Sequence, residues 1–594
     1  MLESSEIREY PGRVSRLFRK EDDPMLDADM REIPPAARLL VEERVASRLH
    51  SKDAGLYGFS EQAQECAREF MGWTDLASNP PMPIDDIVSF ASRVLASGID
   101  TVLLIGEGGS TQAPMTITKY HKADRACVKF RVLDSDSPVR VRAFLAECNP
   151  KTTLVLTSSK SGSTIEPRLA LMAIREELSE RMAPEQVVRH LVAITDPGSD
   201  LEKQAREEGW LAVFNGEPSV GGRFSALSVF GLLPAALAEI DIREFMEHAC
   251  EAERLCSMDS HENPAIQLAG FLYDNYTKGR DKVCFLAPKR GRVLGLWIEQ
   301  LVAESLGKEG KGILPNIETD PLMFNEDHGD GVIVTYRTKT DLWDERKNFE
   351  MSMAYLNQGI PRLNYRIENV CDLAGHFVMW EYAIAMCGYL MGVCPFDQPD
   401  VASAKAATLE VLRSGHIAPD FIQQDLCGIA MGDVEVRLSE AMKGPQDLEG
   451  ALEKLLGSIK PGDYFSLNAF LPFTGEGRRE ALEIIRHSMA AEFGVVSCLE
   501  IGPRYLHSTG QLHKGGPNNG VFLILSADEL KDIPLLRAPA PSLATLAKAQ
   551  AEGDLMTLSS RGRRCVHIHL PDNSGATMRQ LAALIQKVAR AVGA

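Results

Sequence analysis

The sequence predicts an α/β protein with two doubly wound parallel-sheet domains, an N-terminal helical arm and a C-terminal α/β module. Short apolar runs rich in β-branched residues recur from about residue 98 onward, and the gaps between them are long enough for crossover helices. In addition, 594 residues are too many for one hydrophobic core. We therefore divide the chain into four segments, 1–80, 81–245, 246–415 and 416–594.

The composition excludes several classes of function. A formal net charge of −19 argues against nucleic acid or an anionic membrane as the main partner. The twelve cysteines are scattered without zinc-type or C-x-x-C spacing, which favours reduced thiols over a disulfide or metal framework. The N-terminus lacks the apolar core of a signal peptide, and the longest apolar stretch, 224–240, is too short to span a bilayer comfortably. We expect a cytoplasmic protein with no metal and no cofactor.

The first two segments differ in texture. Residues 1–80 are charged and helix-prone and contain no strand-like run, which predicts the helical arm. Five apolar runs of strand length follow in the segment 81–245. These runs are 101–106, 128–134, 152–159, 190–196 and 211–215. Amphipathic stretches separate them, so the segment predicts the first parallel sheet.

Three further runs predict a second parallel sheet in the segment 246–415. They are 283–288, 331–337 and 362–367. The last segment has a different order of elements, namely strand, helix, strand, strand, helix, strand and a final helix. That order fits a split βαβ, ferredoxin-like module in 416–594.

A glycine-rich loop, Gly106-Glu107-Gly108-Gly109-Ser110, follows the first predicted strand. Such a turn lets backbone amides approach a ligand closely. Three interpretations remain open, namely a tight structural turn, a sugar-phosphate contact and a nicotinamide site with Asp134 as the ribose acid. The third glycine of a dinucleotide fingerprint would fall at Thr111, which weakens the last of these.

A second loop places hydroxyl groups and a lysine at the start of a predicted helix. The loop residues are Ser158, Ser159, Lys160, Ser161, Gly162, Ser163 and Thr164. Apolar residues at helical spacing begin at Ile165, and Pro167 lies in the first turn, where a missing N–H costs little. One hydroxyl would be enough for an N-cap, so five favour an anion such as phosphate at this helix end. A nucleotide P-loop is not indicated, because Gly307-Lys308 is followed by Glu309.

These motifs resemble those of the glucose-6-phosphate isomerase family. The loop SSKSGST is similar to the phosphate loop of sugar isomerase (SIS) domains. Three other matches follow in the family's order: Gly221-Gly222-Arg223-Phe224-Ser225, Ala303-Glu304-Ser305-Leu306-Gly307-Lys308, and Phe396-Asp397-Gln398 with Lys405 seven residues later. The isomerase half of bacterial transaldolase–isomerase fusions is the closest likeness, since it also shares ESLGKEGKG and GQLHKGGPN.

The resemblance implies two SIS domains and interconversion of glucose 6-phosphate and fructose 6-phosphate in glycolysis and gluconeogenesis. An aldose–ketose isomerase moves a proton between adjacent carbons through an enediolate, and a carboxylate is the simplest catalyst. The resemblance assigns this role to Glu304, stabilisation of the enediolate to Arg223, and ring opening to Lys405 with a histidine. From its residues alone, Glu304 is better interpreted as a solvated acid paired with Lys308 four residues on.

The ring-opening histidine has no clear motif. His328, just before the run 331–337, is the best candidate, with His376 as the alternative, although the sequence around His328 departs from the family pattern. The resemblance also implies a set of substrate-binding residues, which are Gly109, Ser110, Ser159, Lys160, Ser161, Ser163, Thr164 and Gln398.

The long basic, glycine-rich loop 502–517 joins two predicted strands of the last segment, and loops of this kind are usually functional. It can close over the phosphosugar, stabilise a dimer or simply pack on a neighbour. The resemblance implies a homodimer that binds a hexose 6-phosphate. The sequence leaves open a non-catalytic phosphosugar sensor, a nicotinamide-dependent oxidoreductase, and mannose or amino-sugar phosphates as substrates.

Overall fold

The computed structural model describes part of the chain in detail. The described residues are 33–594 except 122–127, 319–323, 325, 339–346, 348, 352, 355, 358, 415–420, 426–432, 474, 530, 534, 536–539 and 594. None of the described helices is both long enough and apolar enough to cross a lipid bilayer.

The described part of the N-terminal arm is helical. Its helices are α1 (Pro35–Glu42), α2 (Val45–His50) and α3 (Glu61–Phe70). Ser60 caps α3 by accepting a hydrogen bond from the amide of Ala63. Helix α1 packs against a helix of the second domain, Pro264–Tyr276, and a backbone bridge joins Met71 to Val220. The arm therefore lies along both sheet domains.

The first sheet has five parallel strands in the order β2-β1-β3-β4-β5, which confirms the predicted doubly wound arrangement. The strands are β1 (Thr101–Ile105), β2 (Lys129–Leu133), β3 (Thr153–Ser158), β4 (Leu191–Thr195) and β5 (Ala212–Asn215). The helices of this domain are α4 (Ile84–Ala96), α5 (Gly109–Tyr120), α6 (Pro138–Glu147), α7 (Ile165–Ser179), α8 (Pro184–Val187), α9 (Asp200–Glu207) and α10 (Val229–Leu237).

The second sheet is also parallel, in the order β7-β6-β8-β9. Its strands are β6 (Lys282–Leu286), β7 (Leu314–Glu318), β8 (Gly331–Thr338) and β9 (Arg362–Ile367), and its helices are α11 (Ile242–Cys256), α12 (Pro264–Tyr276), α13 (Arg292–Leu306), α14 (Asp372–Met391) and α15 (Pro399–Ser414). Helix α13 packs against α5, and one hydrophobic cluster runs from Val102 through Trp297 to Phe377. The two sheet domains therefore share a core.

The C-terminal sheet has six strands in the order β10-β11-β15-β14-β12-β13. Its strands are β10 (Phe421–Asp425), β11 (Asp433–Leu438), β12 (Tyr464–Phe470), β13 (Val496–Ile501), β14 (Gly520–Ala527) and β15 (Arg564–Leu570). Its helices are α16 (Leu448–Leu456), α17 (Arg478–Phe493), α18 (Gly510–Gly515), α19 (Leu543–Ser560) and α20 (Gly575–Gly593).

The ferredoxin-like topology predicted for this module is wrong. Strand β12 pairs in parallel with both β13 and β14, and β14 pairs in parallel with β15, whereas a split βαβ module alternates strand directions. The reason is the connection between β13 and β14, residues 502–519. It is long enough to cross back over the sheet and contains α18, so it is a crossover rather than a hairpin loop.

The C-terminal module docks onto the rest of the chain through helix α19. Helix α15 packs along α19, where Gly553 lies against the backbone of Thr408. On the other side, Leu543 and Leu546 of α19 join the hydrophobic cluster on one face of the first sheet. These contacts bring the crossover 502–519 to the edge of the first sheet.

Candidate active site

Six segments converge at the carboxyl ends of β1 and β3, the edge where open α/β sheets bind ligands. Two of them follow those strands directly, the glycine-rich loop 106–109 and the serine-rich loop 159–164. The other four are the turn 222–224, the end of α13, the turn 394–398 and the turn 504–507 of the C-terminal module. Each contributes a polar or charged side chain, or a close backbone approach.

The glycine-rich loop packs closely against the turn that carries Arg223. A Cβ atom placed on Gly109 would lie 2.0 Å from the carbonyl oxygen of Gly222, so only glycine fits there. Gly108 has a φ of 55°, and a Cβ atom on it would lie 2.9 Å from Nε2 of Gln300 and 3.2 Å from the Cβ of His507. Ser110 is buried in the first turn of α5. The loop is therefore the platform on which α13 and the C-terminal turn meet.

Glu304 lies in the last turn of α13 and is only 6% exposed. Its Oε2 lies 3.3 Å from Nη1 of Arg223 and accepts a hydrogen bond of 3.3 Å from Nε2 of Gln300. Burial raises the pKa of Glu304 above its ordinary value, and the charges of Arg223, His507 and Lys308 oppose that rise. The alternative of a solvated acid paired with Lys308 is wrong, since Glu304 is buried and its ion-pair partner is Arg223.

Arg223 is 2% exposed and its guanidinium group is fixed on every side. Nε donates to Ser305 Oγ (2.8 Å), and Nη1 donates to Glu304 and to Gln398 Oε1 (2.6 Å). Nη2 donates to the carbonyl oxygens of Pro395 (2.6 Å) and Asp397 (2.9 Å). These five bonds use all five N–H groups of the side chain. The cation therefore has a fixed position beside Glu304.

Lys308 ties the loop after α13 to the turn 394–398. Its buried Nζ atom contacts Asp397 Oδ1 (2.6 Å), and it donates to the carbonyl oxygens of Cys394 and Asp397, each at 2.7 Å. Gln398 itself is exposed, and its side-chain oxygen accepts from Arg223. Arg223 and Lys308 thus connect the motif around Glu304 to the motif around Gln398 by hydrogen bonds.

The serine-rich loop leads into α7, whose N-cap residue is Thr164. Ser159 Oγ donates to Thr164 Oγ1 (3.3 Å), and the hydroxyls of Ser161 and Ser163 lie 3.0 Å apart. Lys160 forms an ion pair with Asp196 and donates to the carbonyl oxygen of Pro218. Hydroxyl groups therefore surround the helix end as predicted, whereas the charge of Lys160 is partly neutralised by Asp196, the residue that follows β4.

The structure also brings in a histidine that sequence analysis did not single out. Nε2 of His507 lies 2.9 Å from Oε1 of Glu166, which accepts a second bond of 2.7 Å from Nε2 of Gln550. Glu166 is buried in the first turn of α7, next to the serine-rich loop. Burial acts to raise the pKa of Glu166, but His507 and Lys405 outweigh it, so the pKa is lowered overall. The one available signal was the long loop 502–517, which gave no preference for any of its residues.

Lys405 lies on α15 and is exposed. Its charge contributes to the lowered pKa of Glu166. Asp400, at the start of the same helix, donates its backbone amide to Oε1 of Gln511 and accepts from Nε2 of Gln511, and it forms an ion pair with Arg561. The crossover 502–519 therefore sets the position of the helix that carries Lys405.

Neither predicted ring-opening histidine is seen beside Glu304. His328 is exposed, its ring lies against Gly494, and it lines a cavity with Asn316. His376 is fully buried in α14, with Nδ1 3.2 Å from the hydroxyl of Tyr336, and burial lowers its pKa to about 4. His376 is a core histidine, and His328 lies at the junction between the second sheet domain and the C-terminal module.

Asp134, which the nicotinamide interpretation used as the ribose acid, has a structural role. It is 3% exposed, with Oδ1 3.3 Å from Nη2 of Arg140 and Oδ2 3.7 Å from Nη1 of Arg504. Glu107 of the glycine-rich loop is also buried, and burial raises its pKa well above the ordinary value, with Glu166 adding to the rise. A buried acid with paired cations is poorly suited to accept bonds from a ribose.

Comparisons with known proteins agree on one family. The family model for phosphoglucose isomerase matches residues 92–338. A glucose-6-phosphate isomerase of Synechococcus sp. (strain JA-2-3B'a(2-13)) is 33% identical over 460 residues, which cover 68% of this chain and 84% of the relative. That of Prochlorococcus marinus (strain MIT 9515) is 30% identical over 373 residues, covering 56% and 70%.

Solved structures give the same picture of the fold. A hypothetical protein of Thermus thermophilus superposes with a TM-score of 0.54 at 25% identity, covering 63% of this chain and 95% of that one. A glucose-6-phosphate isomerase of Chlamydia trachomatis superposes with a TM-score of 0.52 at 18% identity, covering 64% and 86%. With relatives at 30% identity or more that are matched over at least two thirds of their length, the chain belongs to the phosphoglucose isomerase family.

Proposed function

We propose that this protein interconverts glucose 6-phosphate and fructose 6-phosphate, with Glu304 transferring the proton between C2 and C1. One observation carries the proposal, namely a buried carboxylate fixed by Arg223 and Gln300 at the point where the sheet-edge loops meet. Burial raises the pKa of Glu304, which makes it a stronger base than an exposed carboxylate, while Arg223 favours its ionised form.

The phosphate of the substrate would lie at the start of α7. Ser159, Ser161, Ser163 and Thr164 offer hydroxyl donors there, and the first-turn amides and the helix dipole favour an anion. Lys160 would add its charge from the side of Asp196. Ser110 and Gly109, in the neighbouring loop, would contact the sugar or its phosphate.

The negative charge of the enediolate would be stabilised by Arg223. A cation that is already fixed in a water-poor site needs no reorganisation during the reaction, and such groups contribute about 3 kcal/mol to transition-state stability. Gln398, hydrogen-bonded to Nη1 of Arg223, would hold both the guanidinium group and the substrate. Lys405 would supply a proton to the ring oxygen when the pyranose opens, the role that the family resemblance implies for it.

Three further parts of the proposal have different origins. The homodimeric assembly comes from family resemblance, the cytoplasmic location from the sequence pattern of the N-terminus, and the use of glucose 6-phosphate rather than mannose 6-phosphate or amino-sugar phosphates is the part that the sequence leaves open. Analytical ultracentrifugation and a comparison of kcat/KM for the three sugar phosphates test the first and the last.

The experiment that tests the proposal compares wild type with Glu304→Gln in a coupled assay from fructose 6-phosphate. We expect turnover by wild type and a loss of at least 10²-fold in the variant, the scale for removing a general base. Glu309→Gln is the matched control, because Glu309 is an exposed carboxylate five residues further along the chain. In D2O, wild type should incorporate deuterium at C1 of fructose 6-phosphate, and Glu304→Gln should not.

Two outcomes would contradict the proposal. Full activity and deuterium exchange in folded Glu304→Gln would remove Glu304 from the chemistry. Tight binding of the phosphosugar by wild type without turnover would instead favour the sensor.

A further inference from the structure

The described part of the N-terminal arm packs against the two turns that position Arg223. Trp73 stacks on Phe224, with ring centroids 4.8 Å apart, and Tyr57 makes an edge contact with Phe396 at 5.1 Å. These aromatic residues of the two turns stand next to the residues that form the candidate active site. A change in how the arm packs therefore reaches that site directly.

Two cysteines lie where the arm meets the turn 394–398. Cys66 is half-buried on α3, and Cys394 is 3% exposed at the start of the turn. Both are free thiols that belong to the same hydrophobic cluster, and the thiol of Cys66 donates a hydrogen bond to the sulfur of Cys394. Two thiols in contact, one of them near the solvent, meet the first geometric requirement for a disulfide.

The surroundings of Cys394 favour its thiolate. The hydrogen bond from Cys66 lowers the pKa of Cys394, as do the backbone amide of Phe396 and the charge of Lys308, although burial acts in the opposite direction. The same hydrogen bond and burial raise the pKa of Cys66. The thiolate is the form that attacks an oxidant, so Cys394 is the nucleophile of the pair and Cys66 the resolving thiol.

The turn that begins at Cys394 also holds two cations of the candidate active site. Its carbonyl oxygen accepts from Nζ of Lys308 at 2.7 Å, and the next carbonyl, of Pro395, accepts from Nη2 of Arg223 at 2.6 Å. Both cations are 2% exposed, so water cannot easily replace these acceptors. A shift of the turn therefore moves the groups that position both cations.

We propose that Cys66 and Cys394 form an oxidative modification site whose disulfide lowers turnover, with a peroxide as the oxidant. The Cys394 thiolate attacks one peroxide oxygen, the O–O bond breaks, and a sulfenic acid forms while hydroxide leaves and is protonated to water. The Cys66 sulfur then loses its proton and attacks the sulfenic sulfur, the S–O bond breaks, and a second water leaves. The two thiols lose two electrons and two protons, and hydrogen peroxide becomes two molecules of water.

The disulfide would act on the candidate site through the turn. A covalent bond brings the two sulfur atoms closer than a hydrogen bond does, so it would draw the turn towards α3. The acceptors of Lys308 and Arg223 would move with it. A misplacement of about 1 Å can cost about 10²-fold in rate, and we expect the oxidised protein to lose at least about tenfold in turnover. This effect on turnover rests on the proposed isomerase function, whereas formation of the disulfide does not.

The experiment oxidises the full-length protein with hydrogen peroxide and identifies disulfides by mass spectrometry of proteolytic peptides. Turnover of fructose 6-phosphate is measured before oxidation, after oxidation and after treatment with dithiothreitol. We expect a linked pair of peptides that contain Cys66 and Cys394, a loss of at least about tenfold in turnover, and recovery with dithiothreitol.

Two variants separate this pair from the other thiols. Cys66→Ser should have the turnover of wild type when reduced and should keep most of it after peroxide, because it cannot close the bond. Cys250→Ser is the matched control, since Cys250 is also half-buried but its thiol donates to the carbonyl oxygen of Ala77 at 3.0 Å. It should respond to peroxide and dithiothreitol as wild type does.

Several results would overturn the inference. Oxidised wild type without the linked peptides would exclude the modification site, and linked peptides with undiminished turnover would exclude its effect on the active site. Equal losses in Cys66→Ser and wild type would assign the inhibition to another thiol. If reduced wild type lacked turnover, the proposed isomerase function would fail instead, while the peptides would still decide whether the disulfide forms.

Discussion

Replacing Arg223 with methionine tests how the site controls the protonation of Glu304. Methionine keeps much of the length of the arginine stem but removes the charge and the five hydrogen bonds of the guanidinium group. Nη1 of Arg223 lies 3.3 Å from Glu304 Oε2, and both side chains are almost fully buried. The variant therefore leaves a buried carboxylate without its cation.

The size of the effect follows from these distances. A cation within about 4–6 Å lowers a carboxyl pKa by roughly 1–3 units, so its removal should raise the pKa of Glu304 by at least about one unit. Only the ionised carboxylate can accept the proton from carbon, and the acidic limb of the pH–rate profile should move to higher pH. Removing one member of a buried ion pair should also lower the free energy of unfolding by about 3–5 kcal/mol.

The assay is kcat/KM for fructose 6-phosphate between pH 5 and 9, at a temperature where thermal unfolding shows each variant to be folded. Arg223→Lys is the control, because it keeps a positive charge but loses the planar fork that holds Ser305, Pro395 and Asp397. Its acidic limb should stay near that of wild type while its stability falls. An acidic limb of Arg223→Met that coincides with that of wild type would refute the electrostatic coupling between Arg223 and Glu304.

Three further predictions concern other parts of the fold. Lys282→Met should lower the free energy of unfolding by about 3–5 kcal/mol in chemical denaturation, because Lys282 is fully buried between Asp281 and Asp330 and donates to Gly462 of the C-terminal module. Gly109→Ala should lose about 10²-fold in activity, because the new Cβ atom must displace the turn of Arg223. Gly222→Ala is the control, since its Cβ atom meets nothing within 4 Å and the variant should keep wild-type stability. A Gly109→Ala variant with the melting temperature and the activity of wild type would contradict the close approach. Burial raises the pKa of Glu381 well above 4.5, so the folded state holds a proton that the unfolded state releases. Relative to Glu381→Gln, the free energy of unfolding of wild type should therefore fall by about 1.4 kcal/mol per pH unit as the pH rises from 4.5 towards the pKa of the folded state. Parallel curves of stability against pH for the two proteins would contradict this prediction.

The central strands of the two sheet domains were predictable because they are compact apolar runs buried on both faces. Strand β1, for instance, is buried at every position, and its apolar sequence marks it without any knowledge of neighbours. Strand β7 was missed because Leu314–Glu318 mixes polar with apolar residues and contains Pro315, which is tolerated here because β7 lies at the edge of the described sheet, beside β6. The direction of β14 was also beyond sequence patterns, since it depends on the path of residues 502–519.

Much of the candidate site was predictable for a related reason. Glu304, Arg223 and the serine-rich loop each lie within a short motif that can be identified in the sequence, although Arg223 contacts Glu304 and Ser305 from 81 and 82 residues away. The ion pair of Lys160 was not predictable from its motif. The motif suggests a phosphate ligand, whereas the structure pairs its ammonium group with Asp196, the residue that follows β4. Its charge is therefore shared between the fold and any anion at the helix end.

His507 was the least predictable of these residues, because its hydrogen-bond partner, Glu166, lies 341 residues away in the chain. No local pattern distinguishes it from His513, six residues later, which is fully buried between Tyr464, Tyr505 and Phe522. Which of the two histidines faces the site is decided by the crossover 502–519 and by the docking of α19 on the first sheet. The C-terminal module can thus contribute a residue near the first sheet, because its packing places one of its loops at the carboxyl ends of the strands. The match to the family model ends at residue 338, well before the crossover 502–519.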